Sequence, residues 1–254
     1  MKRFLCILAI LALLVTALPS CSKKETAYEL YSNAAEALFQ SESGYVCATT
    51  VVEQLSSTDQ SLQSKVVNAI DFRFLGNDRS IRQGKQEGDK FNTQIDYAYI
   101  DGVLYMEKGV FGNTKWKFEC AQDDIADISK INIDMDFSIT LPELDKSAFK
   151  DVQVMTDGSN RKISVQVPQS KLTHWMTAIT GASEVEESEE PLELTLVFDS
   201  ESMLKEAYLR FQLTYGTQIV KVDLALSYAD FGVGKPIEPT SPIGSYETLT
   251  ITLP

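Results

Sequence analysis

The residues of this chain that are equipped for chemistry are few and scattered. Cysteines stand at positions 6, 21, 47 and 120, and His174 is the only histidine. A Ser-His-Asp triad or a multi-histidine metal site therefore has at most one imidazole to draw on. His174 also falls off the apolar stripe of its segment, as a surface or rim residue does. No G-x-S-x-G, G-x-x-x-x-G-K-[ST], G-x-G-x-x-G or H-E-x-x-H occurs, so there is no nucleophile elbow, no phosphate-cradling loop and no zinc-protease helix. Carboxylates are so plentiful, 36 against 23 lysines and arginines, that no pair of them is singled out for glycosidase-type work. Asp134 and Asp136 share a strand face in INIDMDF, but that stretch lacks the glycine and terminal glutamate of an EF-hand loop. These residues indicate no enzyme, no metal and no cofactor. Cys21 is the exception, because it closes an apolar run, LALLVTALPSC, where the chemistry open to a thiol is alkylation by lipid.

The residues around Cys21 fit that chemistry. Met1, Lys2 and Arg3 make a short positive start, and Phe4 to Ala17 carry no charge. This apolar core suits a signal peptide and is too short to span a bilayer, which takes roughly 20 apolar residues. Leu18-Pro19-Ser20-Cys21 resembles a lipobox, with leucine three positions before the cysteine and a small residue directly before it. Pro19 departs from the Ala, Ser, Thr or Val usual at its position. By that resemblance Cys21 becomes thioether-linked to diacylglycerol and the chain is cut after Ser20; the competing reading is a secretory signal with a chance cysteine near its end. The expected organisation is a lipoprotein signal peptide over 1–20, a lipidated cysteine and short tether over 21–25, and a single domain over 26–254. That domain would be held on the extracytoplasmic face of the cell membrane by acyl chains of the palmitate class, since two chains give stable anchoring where one is marginal.

Charge narrows the partners. The formal balance of −13 becomes two units more negative when Lys2 and Arg3 leave with the signal. So acidic a surface repels nucleic acid and anionic headgroups, which leaves the lipid as the only grip on the membrane. With Cys6 removed and Cys21 acylated, Cys47 and Cys120 remain, either as a disulfide or as buried free thiols.

The elements that must position these residues are mostly strands. In TAYELYSNAAEALF, Thr26 and Glu29 have capping-box spacing, and Ala27, Leu30, Tyr31, Ala34 and Leu38 recur at helical intervals. After that helix the period becomes two. Apolar residues alternate at Ile70, Phe72 and Phe74; at Tyr97 and Tyr99; at Trp116 and Phe118; at Ile163, Val165 and Val167; at Leu192 to Phe198; at Leu209, Phe211 and Leu213; and at Val220 to Tyr228. Polar residues fill the positions between, as in antiparallel strands with one face covered and one solvated. Asp-Gly at 101–102 and 157–158 predicts hairpins. Two further helices are expected over 121–131 and 168–180, an acidic loop over 182–191, and a Pro- and Gly-rich tail that lies along the sheet edge.

The lipobox, the early amphipathic helix, the YIDGVLYME…TKWKFE hairpin pair and the closing SYADFGVGKPIEP resemble the LolA/LppX-like extracytoplasmic bacterial lipoproteins, Gram-positive members among them. The resemblance covers nearly all of the mature chain and rests on patterns and turns. It implies an α+β fold, a half-open antiparallel β-barrel with helices covering the concave face. It also implies a non-catalytic function, binding of an apolar or amphiphilic ligand (a lipid or lipidated molecule) in a cavity between sheet and helices. Tyr97, Tyr99, Trp116, Phe118, Trp175, Met176, Phe211 and Leu213 are the candidate wall of that cavity, or else fill a dry core. The alternative function is a cell-envelope interaction or assembly lipoprotein with a solid core and a protein partner.

Overall fold

A computed structural model of the chain describes residues 25–88, 90–109, 114–121, 141–173, 175–176, 190–215 and 217–249. The lipidation candidate Cys21, His174, Asp134 and Asp136, nearly all of the helix expected over 121–131 and most of the acidic loop lie outside these residues.

The helix α1, Ala27–Phe39, forms as its sequence dictates. Thr26 caps it, its hydroxyl accepting from the Glu29 backbone N–H at 3.2 Å while the Glu29 carboxylate accepts from the Thr26 N–H at 2.8 Å. Two of the N-terminal donors that a helix leaves orphaned are thereby satisfied. Ala27, Leu30, Tyr31, Ala34 and Leu38 are its buried face.

Among the described residues twelve strands follow: β1 Ser43–Ser56, β2 Leu62–Leu75, β3 Asp78–Glu87, β4 Lys90–Ile100, β5 Val103–Lys108, β6 Thr114–Glu119, β7 Met155–Asp157, β8 Asn160–Val167, β9 Leu192–Phe198, β10 Leu204–Tyr215, β11 Gln218–Ala229 and β12 Glu247–Thr248. They form one sheet in the order β12-β6-β5-β4-β3-β2-β1-β11-β10-β9-β8-β7. Two meanders, β1 to β6 and β7 to β11, are joined where β11 pairs antiparallel with β1 from Tyr45↔Ala229 to Ser56↔Gln218. At the β4–β5 turn, Asp101 and Gly102 both take positive φ, 51° and 81°, as the favoured two-residue hairpin turn requires.

The sheet overturns the half-open barrel with covering helices. It is a large open sheet, and α1 is the one α-helix that the described residues cover from end to end. Barrel closure needs two edge strands whose ladders can join. Here the edges are stubs, three residues in β7 and two in β12, and β12 lies parallel on β6 at Glu247↔Trp116 and Thr248↔Lys117. Such short edges also blunt edge-to-edge association. Over 168–180, the described part is a short 3-10 turn, Gln169–Lys171, followed by a helical stretch at 173 and 175–176.

One face of the sheet carries the core. Val46, Ala48, Phe72, Phe74 and Ile81 join Val222, Leu224, Leu226, Leu209, Leu196, Phe198 and Ile163, with α1, Phe149, Leu172, Trp175 and Met176 packed on them. Most of these side chains are nearly or fully excluded from water. A smaller cluster on the same face, Tyr97, Tyr99, Leu104 and Phe118, continues it over β4 to β6.

Candidate functional site

The opposite face holds the polar residues, and pairing register sets them in rows. One row runs Tyr45, Arg73, Ser80, Ala98, Tyr105 across β1 to β5. The next runs Cys47, Asp71, Arg82, Asp96, Glu107, Lys115 across β1 to β6, alternating in sign over most of its length. Opposite charges directly across a ladder attract, so this row reinforces the register that the core face sets.

The C-terminal segment 230–249 crosses these rows as a strap. It is fastened where the Gly234 N–H donates to the Ser43 hydroxyl (3.1 Å), where Arg82 donates to the Thr240 hydroxyl (3.3 Å) and where Lys115 donates to the Ser241 hydroxyl (2.7 Å). The Tyr246 hydroxyl bonds the buried Glu107 carboxylate, and its ring meets Tyr105 edge-on at 5.2 Å. Ile237 and Tyr246 are the strap's buried residues. Asp96, also buried, is satisfied by Arg82 at 3.2 Å, as a buried carboxylate must be.

Between strap and sheet lies a cleft of about 560 Å³, with Tyr45, Asp71, Arg73, Ser80 and Arg82 on the sheet side and Lys235 to Thr240 on the strap side. Its groups are held in place. The Arg73 guanidinium lies over the Tyr45 ring at 4.3 Å, and the Tyr45 hydroxyl donates to Asp71 at 2.5 Å. Burial, and then the Asp71 hydrogen bond and charge, push the Tyr45 phenol well above its ordinary value. Asp230 accepts from Lys235 at 2.8 Å and from Arg73 at 3.4 Å. The Lys235 bond foremost, with Arg73 adding to it, lowers its carboxyl. Burial, and then Asp71, raise the Cys47 thiol, which disfavours the nucleophilic thiolate. The cleft offers charges of both signs and hydroxyls in fixed positions, which is equipment for binding.

A second groove of about 520 Å³ lies on the same face across β1 and β8 to β11, lined in part by Thr49, Lys162, Glu193, Thr195, Tyr208, Arg210 and Asp223. The strap residues that roof the first cleft are absent from its lining.

Of the eight aromatic and apolar residues expected to wall one cavity, seven fall into two packed clusters. Trp175, Met176, Phe211 and Leu213 belong to the main core, and Tyr97, Tyr99 and Phe118 to the smaller one. Trp116 is half-buried beside Met106. The Tyr97 phenol, packed in the smaller cluster, is pushed up to about 12 by burial. The disulfide between Cys47 and Cys120 does not form, and both are free thiols. Four strands separate β1 from β6, about 24 Å along the sheet, whereas a disulfide needs Cα atoms within about 7 Å. Moreover, Cys47 shares the polar row with Asp71 while Cys120 packs on the core side with Phe118.

No local motif in the sequence marks the polar residues of the cleft. The available signal was that Tyr45, Arg73, Ser80 and Arg82 occupy outward positions on long strands; what brings Lys235 to them is a chain crossing with no local signature.

No family model matches the chain, and no curated protein matches it. Among solved structures, the ywiB protein from Bacillus subtilis is 7% identical over 78% of this chain and 98% of its own, with a TM-score of 0.21. A porin-like protein from Bacteroides uniformis is 8% identical over 71% of this chain and 96% of its own, with a TM-score of 0.19.

Proposed function

We propose that this chain is a non-catalytic lipoprotein, tethered through Cys21 to the extracytoplasmic face of the cell membrane, that works as an interaction module of the cell envelope. The tether is supported by the apolar run ending in Leu18-Pro19-Ser20-Cys21 and by capped helix α1 beginning only six residues after that cysteine. The observation that favours an interaction module over an amphiphile carrier is the packing of the apolar face. Seven of the eight side chains expected to surround a ligand are packed into two apolar clusters instead, while the strap cleft and the second groove open on the polar face. A carrier reading retains one observation in its favour. A cleft of about 570 Å³ beside the start of α1 is lined by Tyr28, Phe149, Val152 and Val154 together with Glu25, Glu29, Lys146 and Lys150. Burying a chain there would contribute about 0.8 kcal/mol for each CH₂ taken from water.

Growing cells with an alkyne-tagged palmitate tests the tether. Wild-type chain should carry the label and sediment with membranes, and Cys21→Ser should do neither. Label retained by Cys21→Ser would refute the anchor. Native mass spectrometry of the purified chain followed by lipid extraction separates the two modes: a discrete co-purifying lipid besides the anchor would favour the carrier, and none would favour the interaction module.

A further inference from the structure

We infer that the cleft under the C-terminal strap is a binding site for a short zwitterionic peptide, one with a free ammonium and a free carboxylate. Sign comes first. Arg73, Arg82 and Lys235 face the cleft together with Asp71 and Glu238. A purely anionic ligand would meet the two carboxylates, and a purely cationic one would meet three bases. A ligand carrying both charges satisfies both sets.

Capacity comes next. An arginine has five N–H donors in a fixed fork. Arg82 uses Nε on Asp96 and one terminal nitrogen on Thr240, and Arg73 uses one terminal nitrogen on Asp230 at the long distance of 3.4 Å. Donors therefore remain for a carboxylate, which the guanidinium geometry suits in bidentate fashion. Stacking on Tyr45 holds the Arg73 plane in advance, so little conformational freedom is lost on binding.

The strap supplies the backbone. Over 235–240, Lys235, Ile237, Glu238 and Thr240 carry backbone N–H groups and Pro236 and Pro239 do not, and among the described residues none of these N–H groups, and none of the six C=O groups, pairs with another backbone group. A peptide laid beside them gains main-chain hydrogen bonds to these unpaired groups. The volume, about 560 Å³, falls inside the roughly 300–1,000 Å³ range of small-ligand sites. The site does not depend on the anchor.

Calorimetric titration of the full chain in mild detergent with trialanine, its N-acetyl form and its C-terminal amide tests the inference. Trialanine should bind, and each blocked form should bind at least fivefold more weakly. Arg82→Gln should remove the penalty for C-terminal amidation, and Lys235→Gln, on the exposed strap, should weaken trialanine binding at least threefold. Glu238→Gln should remove the penalty for acetylation, and Arg210→Gln in the second groove should change nothing. Absence of heat at 10 mM trialanine would overturn the inference. So would equal binding of the blocked peptides, or loss of binding in Arg210→Gln but not in Lys235→Gln. Because palmitate labelling reads the tether and titration reads the cleft, either can fail without the other.

Discussion

Glu25 is the first described residue after the tether, and it clamps the start of the domain to the far end of the sheet. Its carboxylate accepts from Arg161 at 2.7 Å, from the Ser202 hydroxyl at 2.7 Å and from Asn33 at 3.0 Å. The Ser202 bond first, and then Arg161, hold its carboxyl below the ordinary value of 4.5. Glu25 and Arg161 are 29% and 22% exposed, so solvent screens them only in part. Hydrogen bonds to charged groups contribute about 1.5–3 kcal/mol; allowing for screening and for the bonds that an amide retains, Glu25→Gln should cost about 1 kcal/mol at pH 7. In a chain of this size that is a fall in Tm of about 2–4 °C. A carboxyl lowered by folding contributes stability that is complete above its unfolded value and is lost as pH falls through its folded value. Urea or thermal unfolding of both chains in the same detergent should therefore show a gap at pH 7 that narrows steadily below pH 4.5. Equal midpoints at pH 7, or a gap that widens on acidification, would refute the account of Glu25 as an ionised clamp.

Two further outcomes follow from the packing. Titration of the processed chain in denaturant without reductant should find two reactive thiols, Cys47 and Cys120, and reductant should leave the unfolding midpoint unchanged; a count of zero would restore the disulfide. Gly44→Ala places a Cβ 2.8 Å from the Phe74 ring and 2.9 Å from the Phe231 ring, so it should destabilise by about 1–3 kcal/mol as those rings shift, and an unchanged denaturation midpoint would show that the rings yield freely.

What could be read in the sequence was what depends on local spacing. The capping box at Thr26 and Glu29, the buried stripe of α1, the inward positions of Ile163, Val165 and Val167 and of Leu209, Phe211 and Leu213, and the Asp101-Gly102 turn all follow from residues a few positions apart, and all are present. The half-open barrel with covering helices does not form, and the sequence could not tell it from an open sheet because alternation fixes faces but not neighbours. The β1–β11 ladder joins Tyr45 to Ala229, and no local rule names that partner. The wall residues illustrate the same limit. Tyr97 and Phe211 each point to the apolar side, yet whether such a side is cavity or core depends on what covers it.

The strap explains why the candidate site could not be seen in advance. Arg82 on β3 and Thr240 on the strap meet across 158 positions, and each has an ordinary local role, one as an outward strand residue and the other as a loop residue. The cleft arises because β11 ends at the turn of Asp230 to Val233, beside β1, while the chain's last described strand lies at β6, five strand positions from β1. The segment between must cross the polar face, and Pro236, Pro239 and Pro242 keep it from pairing into the sheet as a strand. A prolyl strap that must cross charged rows leaves a gap lined by both, so the composition of the tail and the topology of the sheet together produce the site. The same reasoning assigns Ile237 and Tyr246 the part of pegs: they are the strap's buried residues, while Glu238, next to Ile237, stays exposed at the cleft.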